Sequence, residues 1–299
     1  MNLKNALFTF ICFIFVSELS AQETTTTTVS ANSTDISMNL DLEAVSSAFG
    51  ESKDLEDFEK KLNDPEARIS NLDLNEDGNV DYLRVVEVSE NQTHVVTIQS
   101  VLAKDEFQDV ATIDIEKSEK NTSVLVTGDE YIYGSNYYIS PFYNTIPPIY
   151  GWFWGPYYNP WMSPWYWGFY PPYFRPWRPF PPHIYHNNVH VHINNHNRYN
   201  RDHVKRNHRA KHLQKSVRHN DLQKKSPNNS FKNRNSGMSN KHDLNPNNNT
   251  RYNRSNSRQI DRSSSTRPIS RPSNTRSFNR PSYSRPMSRP AGGFGGFRR

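Results

Sequence analysis

Cysteine is almost missing from this chain. Cys12 is the only one in 299 residues, and it lies inside an apolar run near the N-terminus. The rest of the chain therefore has no disulfide framework, no thiolate metal site and no cysteine nucleophile. Long apolar runs are scarce too. Residues 6–16, ALFTFICFIFV, form the only extended one, and it is too short to cross a bilayer comfortably. Hydrophobic residues make up 34% of the chain and the mean hydropathy is −0.89, which suffices for one small core but not two. No P-loop, nucleophile elbow or H-E-x-x-H helix occurs, and the first 130 residues hold a single histidine, His94. With no nucleophile–base pair to name, an enzyme is not expected.

What is present sorts by position. Lys4, the apolar run and Leu19-Ser20-Ala21 before Gln22 have the order of a secretory signal peptide over residues 1–21. Cys12 sits within the run, not at its end, which argues against lipid anchoring. Export without disulfides fits a bacterial envelope: periplasm, outer-membrane surface or extracellular space. Charge is segregated as well. Residues 22–130 carry 25 Asp and Glu against 8 Lys and Arg, a net −17. Residues 183–299 carry 25 Lys and Arg against 4 Asp, a net +21.

Residues 22–34, with threonines at 24–28, read as a spacer. Leu42, Val45 and Phe49 follow helical spacing, with Asn39 as the expected cap and Gly50 as the expected stop. A second helix is expected from an N-cap at Ser52, through Leu55, Phe58 and Leu62, to Pro65. Asp54, Glu56, Asp57 and Glu59 are assigned to its solvated face. Strands are expected at 69–73, 80–89, 94–102, 110–116 and 122–127. The fold class that follows is α+β: two N-terminal helices on a small antiparallel sheet, spanning residues 35–130. Residues 131–182 hold all six Trp among many Tyr and Pro, and read as a low-complexity segment without long regular structure. Residues 183–299 read as a basic, His/Asn/Arg/Ser-rich disordered tail. Within it a short strand at 189–193 and a helix over 205–222 are expected.

The densest chemistry is the stretch from Leu72 to Val88, LDLNEDGNVDYLRVVEV. Asp73, Asn75, Asp77 and Asp81 place side-chain oxygens at alternate positions around Gly78, and Asn79 offers its carbonyl. Calcium takes six to eight such oxygens. A tight hairpin turn with capped N–H groups needs the same residue types, so both readings stand. An EF-hand would need a glutamate where this chain has Arg84. The loop resembles instead the strand-flanked D-x-N-x-D-G-x-x-D loops of extracellular repeat domains such as the integrin-type β-propeller. That resemblance implies calcium as the ligand. With QDVATIDIEK and GDEYIYG, residues 40–134 also resemble an uncharacterised family of secreted proteins of Gram-negative bacteria. That resemblance implies export and no particular activity.

Ten of the eleven His lie between His183 and His242. On the expected strand, His190 and His192 share a face, and with His183, His186 and His196 close in sequence they offer imidazoles to a transition metal; a polar, weakly basic tail with solvated histidines is the other reading. The aromatic segment has three open uses: stacking on sugars, lying in a membrane interface, or packing on the domain's own sheet. The basic tail suits polyanions outside the cytoplasm, such as lipopolysaccharide, acidic polysaccharide or extracellular DNA. The expected role is thus structural, adhesive or polyanion- and glycan-binding at an envelope surface, with metal-ion binding as the alternative. No transmembrane span is expected after the leader.

Overall fold

The structure, a computed structural model, describes residues 35–201 and 207–244. The leader, the threonine spacer and residues 245–299 lie outside the described residues. The chain divides after residue 254, so everything described belongs to the first unit.

The protein is α+β. Helices α1 (Leu42–Gly50) and α2 (Leu55–Leu62) precede a six-stranded antiparallel sheet ordered β1 to β6. The apolar stripes of both helices are buried, as their spacing requires. Their caps differ from those expected. Asp41 accepts from the Glu43 and Ala44 N–H groups, and Asp54 from that of Asp57. A carboxylate at the positive end of a helix outcompetes the neighbouring Asn39 and Ser52. Gly50 is the last residue of α1, not a residue beyond it. Its value is space: a Cβ there would lie 2.3 Å from the ring of Tyr143. The Tyr143 hydroxyl donates to Ser46 O at 2.8 Å.

Strands β1 (Leu83–Glu90), β2 (Thr93–Ala103), β3 (Glu106–Lys117) and β4 (Thr122–Gly128) form a meander. Asn91, at φ 56°, turns the first hairpin. Residues 69–73 form no strand and make only a bridge from Ser70 to Leu40. Asn71 explains this, since its polar groups pair with Asn39 and with the backbone of Phe180 instead of a ladder. Val96 and Ile98 of β2 join the main core with both helices. From the opposite side of β2, Gln99 donates to Val217 O at 2.7 Å. There α6 (His208–Val217) packs over β1 and β2.

The compact unit does not end at residue 130. The same core takes in Tyr131, Ile132, Tyr133, Tyr137, Ile139, Ile149 and Phe153, then Tyr185 and Val189. Helix α3 (Glu130–Tyr133) leads into β5 (Tyr138–Phe142), which pairs with β4, and the three-residue β6 (Arg198–Asn200) pairs with β5. Between them run α4 (Pro148–Phe153) and α5 (Pro182–Val189). Residues 189–192 are helical, not extended: α5 continues as a 3-10 turn over His190–His192, and only Ile193 is extended. The alternation V-H-V-H-I imitates a strand, but Pro182 at the first helical position and buried Tyr185 and Val189 one turn apart set a helix. The helix expected over 205–222 is realised as α6, with α7 (Asp221–Lys225) beyond it and α8 (Phe231–Arg234) closing against α3.

Part of the basic segment is therefore built into the fold. Arg234 donates to the buried Asp35 carboxylate at 2.8 Å, holding that acid below its ordinary range despite burial. Arg201 pairs with Glu43 at 2.8 Å, and Lys225 with Glu106. Among the described residues no helix is long and apolar enough to cross a membrane.

Candidate functional site

The Asp loop folds as a closed net of side-chain acceptors and backbone donors. Asp73 accepts from the N–H of Asp77 at 3.1 Å and of Gly78 at 2.9 Å. Asn75 Oδ1 accepts from Asp77 N–H at 3.0 Å, and Asp77 Oδ1 from Asn79 N–H at 2.8 Å. Asn75 Nδ2 ties the loop to the end of β2 through Leu102 O, 3.0 Å away. Glu76 and Gly78 take φ of 60° and 82°, the left-handed values such a turn demands. Asp81 stands apart from this exposed net. It is buried, and its Oδ2 accepts from Leu74 N–H and the Ser100 hydroxyl, both at 2.7 Å. Burial and the negative charges of Asp73 and Asp77 push its carboxyl up to about 7. Burial and the Asp77 charge raise Asp73 as well. The five sequence-predicted residues are thus brought into one turn, four at its surface and Asp81 beneath. Among the described residues no group of three or more His, Cys, Asp or Glu gathers as metal ligands.

The aromatic segment is divided between core and surface. Trp161, Met162 and Ser163 run antiparallel to the outer edge of β1. Glu87 N–H donates to Trp161 O at 2.8 Å, Ser163 N–H to Val85 O at 3.0 Å, and Met162 bridges to Val86. Pro160 and Pro164 bracket these three residues, as suits an edge strand that pairs on one side only. Two buried carboxylates hold it there. Glu59 accepts from Tyr82 (2.7 Å), Ser163 (2.6 Å), Trp161 Nε1 (3.0 Å) and Val85 N–H (3.0 Å). Glu87 accepts from Tyr158 (2.7 Å) and the Trp161 N–H (3.1 Å), and lies 2.8 Å from His94 Nδ1. Rings of Phe153, Trp154 and Tyr158 enclose His94 at 4.7, 5.5 and 5.1 Å. Glu59 was expected on the solvated face of α2, yet it is 1% exposed. The signal was legible: Leu55, Phe58, Glu59 and Leu62 form one i, i+3, i+4, i+7 stripe, which puts the carboxylate on the buried side.

Downstream, Tyr170, Tyr173 and Trp177 pack on a second cluster formed by Tyr82, Val101, Phe107 and Phe174. Between these anchors the chain makes a two-residue hairpin. Tyr166 and Phe169 exchange backbone hydrogen bonds of 3.1 and 2.9 Å, and Gly168 takes φ 77°. The rings of Tyr166 and Phe169 stack at 5.2 Å, with Trp165 5.4 Å from Phe169. Tyr166, Trp167 and Phe169 remain 53%, 40% and 51% exposed. This presented turn was not resolved from sequence, although a Trp-Gly pair between two aromatics is its signature.

Two further places gather polar groups. A cavity of 440 Å³ lies between α6 and the sheet. Lys211, Lys215 and Arg218 face Asp109 and Asp129 across it. Burial pushes Asp109 up to about 6 and Asp129 to about 7, while the Arg218 charge draws both back down. Hydrogen bonds from Gln99 to Val217 O and from the His219 N–H to Asp109 tie the C-terminal end of α6 to the sheet. The second place is α5. His190 does not share a face with His192 as the expected strand required; its Nε2 lies 3.0 Å from His186 Nε2, one helical turn back. No family model, no curated protein and no solved structure matches this chain.

Proposed function

We propose that the protein is an exported, non-catalytic envelope protein that binds acidic polysaccharide. The observation that carries this reading is the aromatic turn at Tyr166–Phe169, exposed yet fixed at both ends by edge pairing and ring packing. A flat aromatic surface matches the C–H faces of sugar rings, and a turn ordered in advance loses little entropy on binding. The anionic groups of such a polymer have a partner in residues 245–299, with 12 Arg against 1 Asp. Export rests on the leader-like residues 1–21 and the resemblance to secreted proteins. The test is retention of the full chain on immobilised polygalacturonate, on a neutral glucan and on anionic phospholipid vesicles. Retention on polygalacturonate above the other two supports the reading; preference for vesicles assigns the aromatic turn to a membrane interface.

A second reading, calcium binding by Asp73, Asn75, Asp77, Asn79 and Asp81, is favoured by one observation. The loop's N–H groups already turn onto Asp73, Asn75 and Asp77, while burial and the neighbouring acid charges together raise the proton affinity of Asp73 and Asp81. A divalent cation would relieve that repulsion. Millimolar calcium should then raise the melting temperature by mass action, and Asp77→Ala should abolish the rise. An unchanged melt leaves the loop as a hairpin turn.

A further inference from the structure

Helix α5 is held by its inner side. Tyr185 and Val189 are buried, and the Tyr185 hydroxyl donates to Ile69 O at 2.8 Å while accepting from Asp41 N–H at 3.0 Å. The residue after each of these is a histidine, and both histidines are exposed. The 3-10 turn that continues α5 keeps His190 one turn from His186, so the two imidazoles meet on one face. Their ring centroids are 4.3 Å apart, and the two Nε2 atoms are 3.0 Å apart. Only one proton fits between those nitrogens, so a lone pair faces inward on at least one ring. Partial desolvation against the protein surface and the neighbouring His190 hold His186 below the ordinary imidazole range. Asp41 and Lys241, from the segments packed around α5, act on it in opposite directions.

We infer that His186 and His190 form a two-imidazole chelate for a transition-metal ion, Cu²⁺ or Ni²⁺ in preference to Zn²⁺. The ring that donates the shared proton moves to its Nδ1–H tautomer, which frees both Nε2 lone pairs for an ion lying beside the nitrogen pair. With metal–nitrogen bonds of about 2.0–2.1 Å, donors 3.0 Å apart subtend roughly 91–97° at the metal. That is the angle between neighbouring positions of a tetragonal copper or nickel site; tetrahedral zinc would need the nitrogens farther apart. No third His, Cys, Asp or Glu joins them among the described residues, so water fills the remaining positions. This site is independent of the polysaccharide reading and of the Asp loop.

The experiment uses the full chain without a histidine tag. Cu²⁺ alone is titrated and followed by electron paramagnetic resonance and calorimetry, in the wild type and in His186→Ala, His190→Ala, His186→Asn and His192→Ala. Both rings are exposed, so the variants should keep the fold, which a thermal melt checks, and the asparagine variant retains a polar surface without the chelate. The first copper equivalent should show nitrogen couplings from two imidazoles and weaken about tenfold or more in each variant at 186 or 190. His192→Ala should leave it unchanged. The inference is overturned if the first equivalent keeps its affinity and spectrum without His186 or His190, or if His192→Ala weakens it equally.

Discussion

Glu59 shows how much one side chain can organise. It is a helix residue whose four donors come from β1, from the residue before it, and from a segment about a hundred positions away. Burial raises its proton affinity, and the four hydrogen bonds offset only part of that. Glu59→Ala would strand those donors, and a loss of about 3–5 kcal/mol is expected from denaturant unfolding followed by Trp fluorescence. Glu59→Gln, which still offers one acceptor oxygen, should lose less. Asp81 gives a pH signature of the same origin, burial of a carboxyl. Its folded carboxyl titrates at about 7 against an ordinary value of 3.8, so between those pH values the folded chain binds more protons than the unfolded one. Asp81 therefore makes stability fall as pH rises through that window, at most roughly 1.4 kcal/mol per unit of pKa difference. Asp81→Asn can still accept from Leu74 and Ser100, and should flatten this part of the profile in chelator-treated protein. An equal fall from pH 4 to 7 in the variant would remove burial of Asp81 as the cause. The turn of the Asp loop was legible in the sequence because the bonds among Asp73, Asn75, Asp77 and Asn79 are local, whereas the ties of Asn75 to Leu102 and of Asp81 to Ser100 are not. The role of Glu59 was half legible: its stripe position marks it as buried, but its partners are too distant in the chain to be read from spacing.

At the scale of elements, alternation located β1 to β4 because one sheet face is apolar and each strand is long enough to display the period. Alternation misled at 189–193, where a polar–apolar pattern five residues long fits a strand as well as a capped helix. The aromatic segment does lack long regular structure, as its prolines require. What composition could not convey is where its short pieces dock, since Met162 on Val86 and Trp161 on Glu59 are long-range contacts. These contacts make residues 131–200 part of the folding unit. A chain limited to 35–130 would leave the β1 and β4 edges open and lose Ile139, Ile149, Phe153, Tyr185 and Val189 from the core. It should give a broad, non-cooperative thermal melt, whereas residues 35–244 should melt in one sharp transition. A cooperative melt of the short piece would show the later segment to be dispensable.

Across the whole molecule, the opposed charges read from sequence are partly spent inside the fold, where Arg201, Lys225 and Arg234 meet acids of the N-terminal region. Residues 245–299 retain a net +11, from 12 Arg and 1 Asp. Attraction to a polyanion should therefore depend mainly on this stretch and weaken as the Debye length falls from about 10 Å at 0.1 M to about 3 Å at 1 M salt. The aromatic contribution should persist across the same range, because stacking is not screened. Calorimetric titration of oligogalacturonate at both salt concentrations separates the two, using the full chain and its Tyr166→Ala/Trp167→Ala/Phe169→Ala variant. Polysaccharide recognition at the turn predicts that the triple variant binds about tenfold or more weakly at either salt concentration, each lost ring contact being worth about 0.5–1.5 kcal/mol. Equal affinities for the two proteins at 1 M salt would contradict it.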